Sequence, residues 1–120
     1  VKQSYEMARM LYELAAQQGD ASAMYRLGVM YSQGSGVEQS YEKAFEYYEQ
    51  AADLGHADAQ FVLGLLYATG QGVTEDESKA KEWWTASAAQ GFEQAIETLK
   101  NYFEKEMKKN MTKNATKNTK

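Results

Sequence analysis

Apolar and small residues recur along most of the chain at intervals of three and four positions. This spacing places side chains on one face of an α-helix. The central stretch shows it twice, first in Ala44, Tyr48, Ala51 and Ala52 and then in Ala59, Leu63 and Tyr67. The pattern predicts helices near residues 4–18, 22–33, 40–54, 58–69, 77–90 and 93–109.

The pattern itself repeats, because a shift of 36 residues brings the landmark residues into coincidence without a gap. Val1 to Ala8 then matches Val37 to Ala44, and a more divergent third unit keeps the same register. Since one helix pair cannot bury its own apolar stripe, three stacked pairs are about the minimum for a stable fold. The chain therefore divides into helix pairs at 1–36, 37–72 and 73–109, followed by a tail at 110–120.

Glycines mark the ends of the helices and one position inside them. Gly19, Gly55 and Gly91 stand where the first helix of each unit should end, and glycine suits the left-handed conformation that often closes a helix. Gly28 and Gly64 lie inside predicted helices, where glycine costs roughly 1 kcal/mol relative to alanine. Because both fall in the same register, we expect a neighbouring helix to approach closely at these two positions.

The repeated unit is similar to a known family in its residue pattern. The shared residues are Lys43-Ala44, Tyr47-Tyr48, Ala51-Ala52, Gly55 to Gln60, Leu63-Gly64, Tyr67 and Gly70-Gln71-Gly72-Val73. Over about residues 1–103 they resemble the Sel1-like repeat, whereas tetratricopeptide repeats run about 34 residues and lack the Gly-x-Gly-Val turn. The resemblance implies an all-α fold, a right-handed α-solenoid of helix pairs whose first helices line a concave surface. It also implies a non-enzymatic adaptor or scaffold in protein complexes.

The two ends of the chain depart from the repeat. Lys100 replaces the glycine found inside the second helix of the other units, so the last helix is predicted to cap the C-terminal end. The tail at 110–120 is rich in Lys, Asn and Thr and is predicted to be disordered. An apolar flank on the first helix predicts a missing upstream repeat, or else a dimer or partner surface. That flank consists of Met7, Met10, Leu11 and Leu14.

Composition excludes several classes of function. The 120 residues are 43% apolar and 25% charged, as in a globular protein. They include no cysteine and one histidine, His56, so no cofactor or metal site is predicted and no reactive group of residues indicates an enzyme. The longest apolar run, Phe61 to Ala68, is much shorter than the roughly 20 residues of a membrane span.

Charge is distributed unevenly along the chain. Residues 1–103 carry a balance of −8 and residues 104–120 a balance of +4, which together give the net charge of −4. A protein that binds nucleic acid normally places its basic residues on a folded face. The acidic body therefore argues against nucleic acid as a partner.

The first helix of each unit turns polar residues away from its Ala/Tyr stripe, and stacking would join these positions into one surface. We predict that a protein or peptide partner bearing Lys or Arg binds this acidic strip, with aromatic residues at its edge. The predicted partner-binding residues are Met10, Glu13, Glu46, Tyr47, Gln50, Glu82 and Trp83.

Alternatives to this binding surface remain open. The acidic residues could form only a solvated helix face, and Tyr47 and Trp83 could pack between units. The units could also be purely structural spacers in a longer array, or self-associate through the exposed N-terminal repeat.

Overall fold

The structure, a computed structural model, describes residues 2–118 and the side chains from 4 to 115. Over these residues it contains helices only, which confirms the all-α prediction. The helices are α1 (Lys2–Gln17), α2 (Ala21–Gln33), α3 (Tyr41–Asp53), α4 (Ala57–Thr69), α5 (Glu77–Ala89) and α6 (Glu93–Asn118).

The helix starts follow from capping residues. The Asp20 carboxylate accepts a hydrogen bond from the Ala23 backbone amide at 3.2 Å, and the Asp76 carboxylate accepts one from the Lys79 amide at 3.1 Å. Each bond satisfies a backbone donor that has no partner within the helix. The ends of α2 and α4 are closed by glycine in the left-handed conformation, with φ of 72° at Gly70.

The C-terminal end differs from its prediction. Helix α6 does not stop at residue 109 but continues through Asn118, so the part of the predicted disordered tail that the structure describes is helical. The segment contains no glycine or proline to end the helix. The Thr112 hydroxyl also donates a hydrogen bond to the Lys108 carbonyl at 3.0 Å, so it does not compete with the helix. Residues 119 and 120 lie outside the described part of the chain.

The close approach expected at the two helix glycines is confirmed. A Cβ atom built on Gly64 would lie 2.5 Å from Cδ1 of Trp84, and one built on Gly28 would lie 2.7 Å from Cε1 of Tyr48. Each glycine therefore lets an aromatic ring of the following helix lie directly on the backbone. These contacts join α2 to α3 and α4 to α5, so they connect one unit to the next.

Polar side chains also connect the units. Ser87 is fully buried, and its hydroxyl donates to the Ala57 carbonyl at 2.8 Å. The amide of Gln90 donates to the carbonyl of Gly55 at 2.8 Å and to Oε1 of Gln60 at 3.0 Å. Buried Gln60 in turn donates to the Ala52 carbonyl at 3.2 Å. The Ser87 and Gln90 bonds attach α5 and the residue after it to α4 and to the turn before α4, and the Gln60 bond joins α4 to α3 within the preceding unit.

The molecule is elongated. Each helix packs against the helices that precede and follow it in sequence, and the principal extents are 67 × 27 × 22 Å. The radius of gyration is 17.8 Å, whereas a compact domain of this length has a radius of about 14 Å. Helix pairs stacked in sequence order along an elongated molecule confirm the solenoid prediction.

Candidate functional site

A groove of about 490 Å³ lies between the first helices of two consecutive units. Helices α1 and α3 form its walls and α2 forms its floor. Its lining residues are Glu13, Ala16, Gln17, Leu27, Tyr31, Lys43, Glu46, Tyr47 and Gln50. The structure thus brings together four of the seven residues selected from the sequence, namely Glu13, Glu46, Tyr47 and Gln50.

Two aromatic rings stack in this groove. The Tyr31 and Tyr47 rings lie 5.7 Å apart between centroids at an interplanar angle of 14°. The Lys43 ammonium lies 5.4 Å from the centroid of the Tyr31 ring, within the range of a cation–π contact. Tyr47 therefore packs between units, as one alternative proposed, and also borders the groove.

The groove is lined by Lys43 as well as by Glu13 and Glu46, and Arg9 lies beside Glu13 at its border. Arg9 and Glu13 form an ion pair at 3.2 Å along α1, and their side chains are 35% and 36% exposed. Burial raises the pKa of the Tyr47 hydroxyl above its usual value, and nearby Tyr31, Glu13 and Glu46 raise it further. Because Arg9 pairs with Glu13 and Lys43 lines the groove, its surface is less acidic than the strip predicted from α1 and α3 alone.

The contact between lysine and tyrosine recurs 36 residues further on. The Lys79 ammonium lies 5.5 Å from the centroid of the Tyr67 ring, as Lys43 does over Tyr31. Burial raises the pKa of the Tyr67 hydroxyl, and nearby Lys79 lowers it. Glu49 also raises this pKa, so a carboxylate lies near Tyr67 as Glu13 lies near Tyr47. The Lys–Tyr pair is therefore a feature of the repeat and not of one unit.

The remaining predicted residues lie apart from the first groove. Glu82 is exposed and half-buried Trp83 packs against the core, both on α5. Met10 is 55% exposed on α1 and does not line the groove. Met10 was predicted to bind a partner together with Glu13 and Glu46, but it lies outside the groove that those two residues line.

Tyr31 and Lys43 contribute to the groove but were not selected from the sequence. The prediction used helical angles on the first helix of each unit only. It therefore did not include Tyr31, which lies on the second helix and forms part of the groove floor. The recurrence of both residue types at Tyr67 and Lys79 was the available signal.

His56 has a structural position. Its Nδ1 atom accepts a hydrogen bond from the Ala59 amide at 3.1 Å, which caps α4. Its ring stacks on that of Tyr25 at 4.9 Å. Among side chains 4–115 there is no group of three His, Cys, Asp or Glu arranged to hold a metal ion. Within residues 2–118 no helix is both long and apolar enough to cross a membrane.

Comparison with known proteins gives matches in family and in structure. The Sel1 repeat family matches residues 1–20, 21–56 and 57–92. Its two complete units have the 36-residue period found above, but they begin at α2 and α4 instead of α1 and α3. No curated protein matched the sequence.

Several solved structures are similar, including the following three. A protective antigen of uropathogenic Escherichia coli, described as having an SLR fold, is 37% identical with a TM-score of 0.74 over 76% of this chain. A Sel1 repeat protein of Oxalobacter formigenes is 38% identical with a TM-score of 0.63 over 63% of this chain. Cysteine-rich protein B of Helicobacter pylori is 26% identical with a TM-score of 0.73 over 75% of this chain and 68% of its own.

The chain spans 20% of the Escherichia coli protein and 31% of the Oxalobacter protein. This chain therefore shares repeat modules with these proteins and does not match their whole length. Sel1 repeats generally serve as protein–protein interaction modules. With the family match extending through residue 92 and the same solenoid in three solved structures, this chain belongs to the Sel1 repeat family.

Proposed function

We propose that this chain is a non-enzymatic scaffold that binds a segment of a partner protein in the groove between α1 and α3 and in its continuation between α3 and α5. The observation that supports this most strongly is the groove itself, in which two stacked tyrosines border exposed Glu46 and Gln50. Rigid aromatic rings beside polar groups are typical of anchor sites in protein interfaces.

The charges of the groove favour a partner with Lys or Arg. The cations are already engaged within the chain, since Arg9 pairs with Glu13 and Lys43 lies over Tyr31. The exposed carboxylates of Glu46 and Glu82 have no ion-pair partner among the described side chains. They are therefore the groups most available to attract a basic segment.

The repeat favours a partner segment that spans two units. Lys43 over Tyr31 and Lys79 over Tyr67 give two equivalent positions along the array. A segment in contact with both gains affinity from the second contact at little additional entropic cost. An extended or helical segment fits this arrangement better than a small molecule does.

A second candidate is a purely structural spacer role within a longer array. It rests on the N-terminal helix, where Ala8 and Tyr12 are only half-buried. At the same register in α3, Ala44 is 0% and Tyr48 3% exposed, because α2 covers them. This side of α1 therefore resembles an internal surface of a stack.

Charge reversal separates the two candidates. In the protein that carries these repeats, Glu46→Lys combined with Glu82→Lys should reduce partner recovery at least about tenfold, which corresponds to roughly 1.4 kcal/mol. Quantitative affinity capture from the source cells would measure this recovery. The matched control is Glu93→Lys with Glu97→Lys, which makes the same change in net charge on exposed positions of α6. Equal recovery with both double variants would contradict the groove proposal and support a spacer.

A further inference from the structure

The groove and its continuation each contain one contact between lysine and tyrosine. At the first position, between α1 and α3, the Lys43 ammonium is 5.4 Å from the centroid of the Tyr31 ring. At the second position, between α3 and α5, the Lys79 ammonium is 5.5 Å from the centroid of the Tyr67 ring. Because this contact is the same at both positions, the residues around it decide what each position can bind.

Charges balance at the first position. Arg9 and Glu13, one turn apart on α1, form an ion pair at 3.2 Å. Lys43 and Glu46 line the groove beside them, and Gln17 at the next turn of α1 is uncharged. Two cations therefore accompany two carboxylates. The first position has no excess of negative charge with which to attract a basic side chain.

The corresponding stretch of α3 has an aromatic ring where α1 has its cation. Half-buried Phe45 takes the register of Arg9, and its ring lies edge-on to that of Tyr67, 5.5 Å between centroids at an interplanar angle of 86°. Glu49, one turn after Phe45, has no ion-pair partner among side chains 4–115. A Lys or Arg side chain placed here would gain an ion pair and a contact with an aromatic ring.

A second carboxylate increases the difference between the two positions. Asp53 lies one turn after Glu49 on α3 and is exposed, whereas the same register on α1 is Gln17. Burial raises the pKa of the Tyr67 hydroxyl, Lys79 lowers it, and Glu49 and Asp53 are among the carboxylates that raise it. Both carboxylates therefore lie near the second position, where they outnumber the single lysine.

These two carboxylates do not stabilise the helix that carries them. Like charges one turn apart repel each other, and a carboxylate in the last turn of a helix meets the negative end of the helix dipole. Asp53 is the last residue of α3, and the last turn of this helix contains no basic residue. A cation bound beside Glu49 and Asp53 would relieve both repulsions, so the arrangement favours a bound ligand over the free chain.

We propose that the partner segment places a Lys or Arg side chain at the second position, against Glu49 and Asp53, and an uncharged side chain at the first. This inference rests on the proposed groove function and adds the chemistry of the partner at each position. It also gives the segment one direction along the array, with its basic end toward α5.

Selection from a displayed library of random linear peptides tests this assignment on the full chain. The wild type should enrich peptides that contain Lys or Arg. Glu49→Gln with Asp53→Asn should weaken binding of an enriched peptide at least about tenfold, because charge-assisted hydrogen bonds are lost. The matched control, Glu13→Gln with Glu46→Gln, removes two carboxylates from the first position and should change the affinity much less.

Two further measurements identify the charge and exclude unfolding. Replacing the basic residue of the peptide by Gln should weaken its binding to the wild type at least about tenfold, with little further effect on the variant at residues 49 and 53. The melting temperature of that variant should equal or exceed the wild-type value, because the change removes a repulsive pair from α3. Its loss of affinity is then a loss of the contact itself.

The outcomes separate this inference from the groove function. If the enriched peptides contain no Lys or Arg, or if both double variants weaken binding equally, the assignment of the basic side chain is overturned and the groove function stands. If no peptide is enriched, or if neither double variant changes binding, the groove function is contradicted and this inference with it.

Discussion

At Gly28 and Gly64 the missing side chain decides how two units meet. Tyr48 lies on the first glycine and Trp84 on the second, at distances that leave no room for a Cβ atom. The propensity cost of a glycine inside a helix is offset by burial of an aromatic ring at each junction. Both glycines were identified from their common register. The partner residue on the other helix required the structure, since sequence spacing does not give helix crossing.

Gly64→Val should destabilise the protein by about 1–3 kcal/mol, because the added side chain overpacks against Trp84. Valine has the better helix propensity, so propensity alone predicts the opposite sign. Urea unfolding at neutral pH measures the change. Leu65→Val, at an exposed position of the same helix, is the control and should change stability by much less. An unchanged midpoint for Gly64→Val would contradict the close-packing explanation.

Tyr48 should make stability fall at alkaline pH. Burial raises the pKa of its hydroxyl above the usual value of 10.0, so the folded state favours the protonated form. The resulting stability is fully present below pH 10.0 and is lost as the pH rises through the folded-state pKa. Tyr48→Phe should therefore lose less stability above that pH than the wild type in urea unfolding. Exposed Tyr5→Phe is the control and should follow the wild type; identical pH dependence in all three proteins would contradict the effect.

At the scale of helices, local sequence signals predicted most of the helix boundaries. Gly19, Gly55 and Gly91 were predicted to close the first helices, and they do take positive φ values of 87°, 90° and 83°. The end of α6 was not predicted, because a polar composition indicated disorder where no residue actually stops the helix. The buried bonds of Gln60 and Ser87 also had no local signal. They depend on how one unit lies against the next.

Gln60→Ala tests those bonds between units. The change removes the donor to the Ala52 carbonyl and an acceptor from Gln90. It should cost about 0.5–1.5 kcal/mol of unfolding free energy, the usual net contribution of an intramolecular hydrogen bond, because the Ala52 carbonyl and the Gln90 amide keep their bonds to Gly55. Chemical denaturation compares it with Gln94→Ala, at an exposed position of α6. Equal, small effects of both changes would show that the bonds contribute little.

For the whole molecule, the 36-residue period predicted stacked helix pairs, because one pair cannot bury its own apolar stripe, and the resemblance to the Sel1-like repeat implied the solenoid. The candidate site was predicted only in part. One groove contains four of the predicted residues, Glu13, Glu46, Tyr47 and Gln50. Its floor comes from Leu27 and Tyr31 on α2, whereas the prediction used only the first helix of each unit. Arg9 pairs with Glu13 and Lys43 lies over the Tyr31 ring, so the groove is also less acidic than predicted. Such contacts depend on the angle between helices, which the periodicity does not specify.

The most direct test of the groove as a partner-binding surface is to find which side of the solenoid a partner contacts. In a chain without natural cysteine, a photo-crosslinker can be attached at Gln50→Cys in the groove or at Ser22→Cys, an exposed position of α2 outside it. Cross-linking is then quantified by mass spectrometry with the partner retrieved by the wild-type protein. The groove proposal predicts a covalent partner adduct from position 50 and little or none from position 22. Adducts formed equally from both positions, or from position 22 alone, would contradict it.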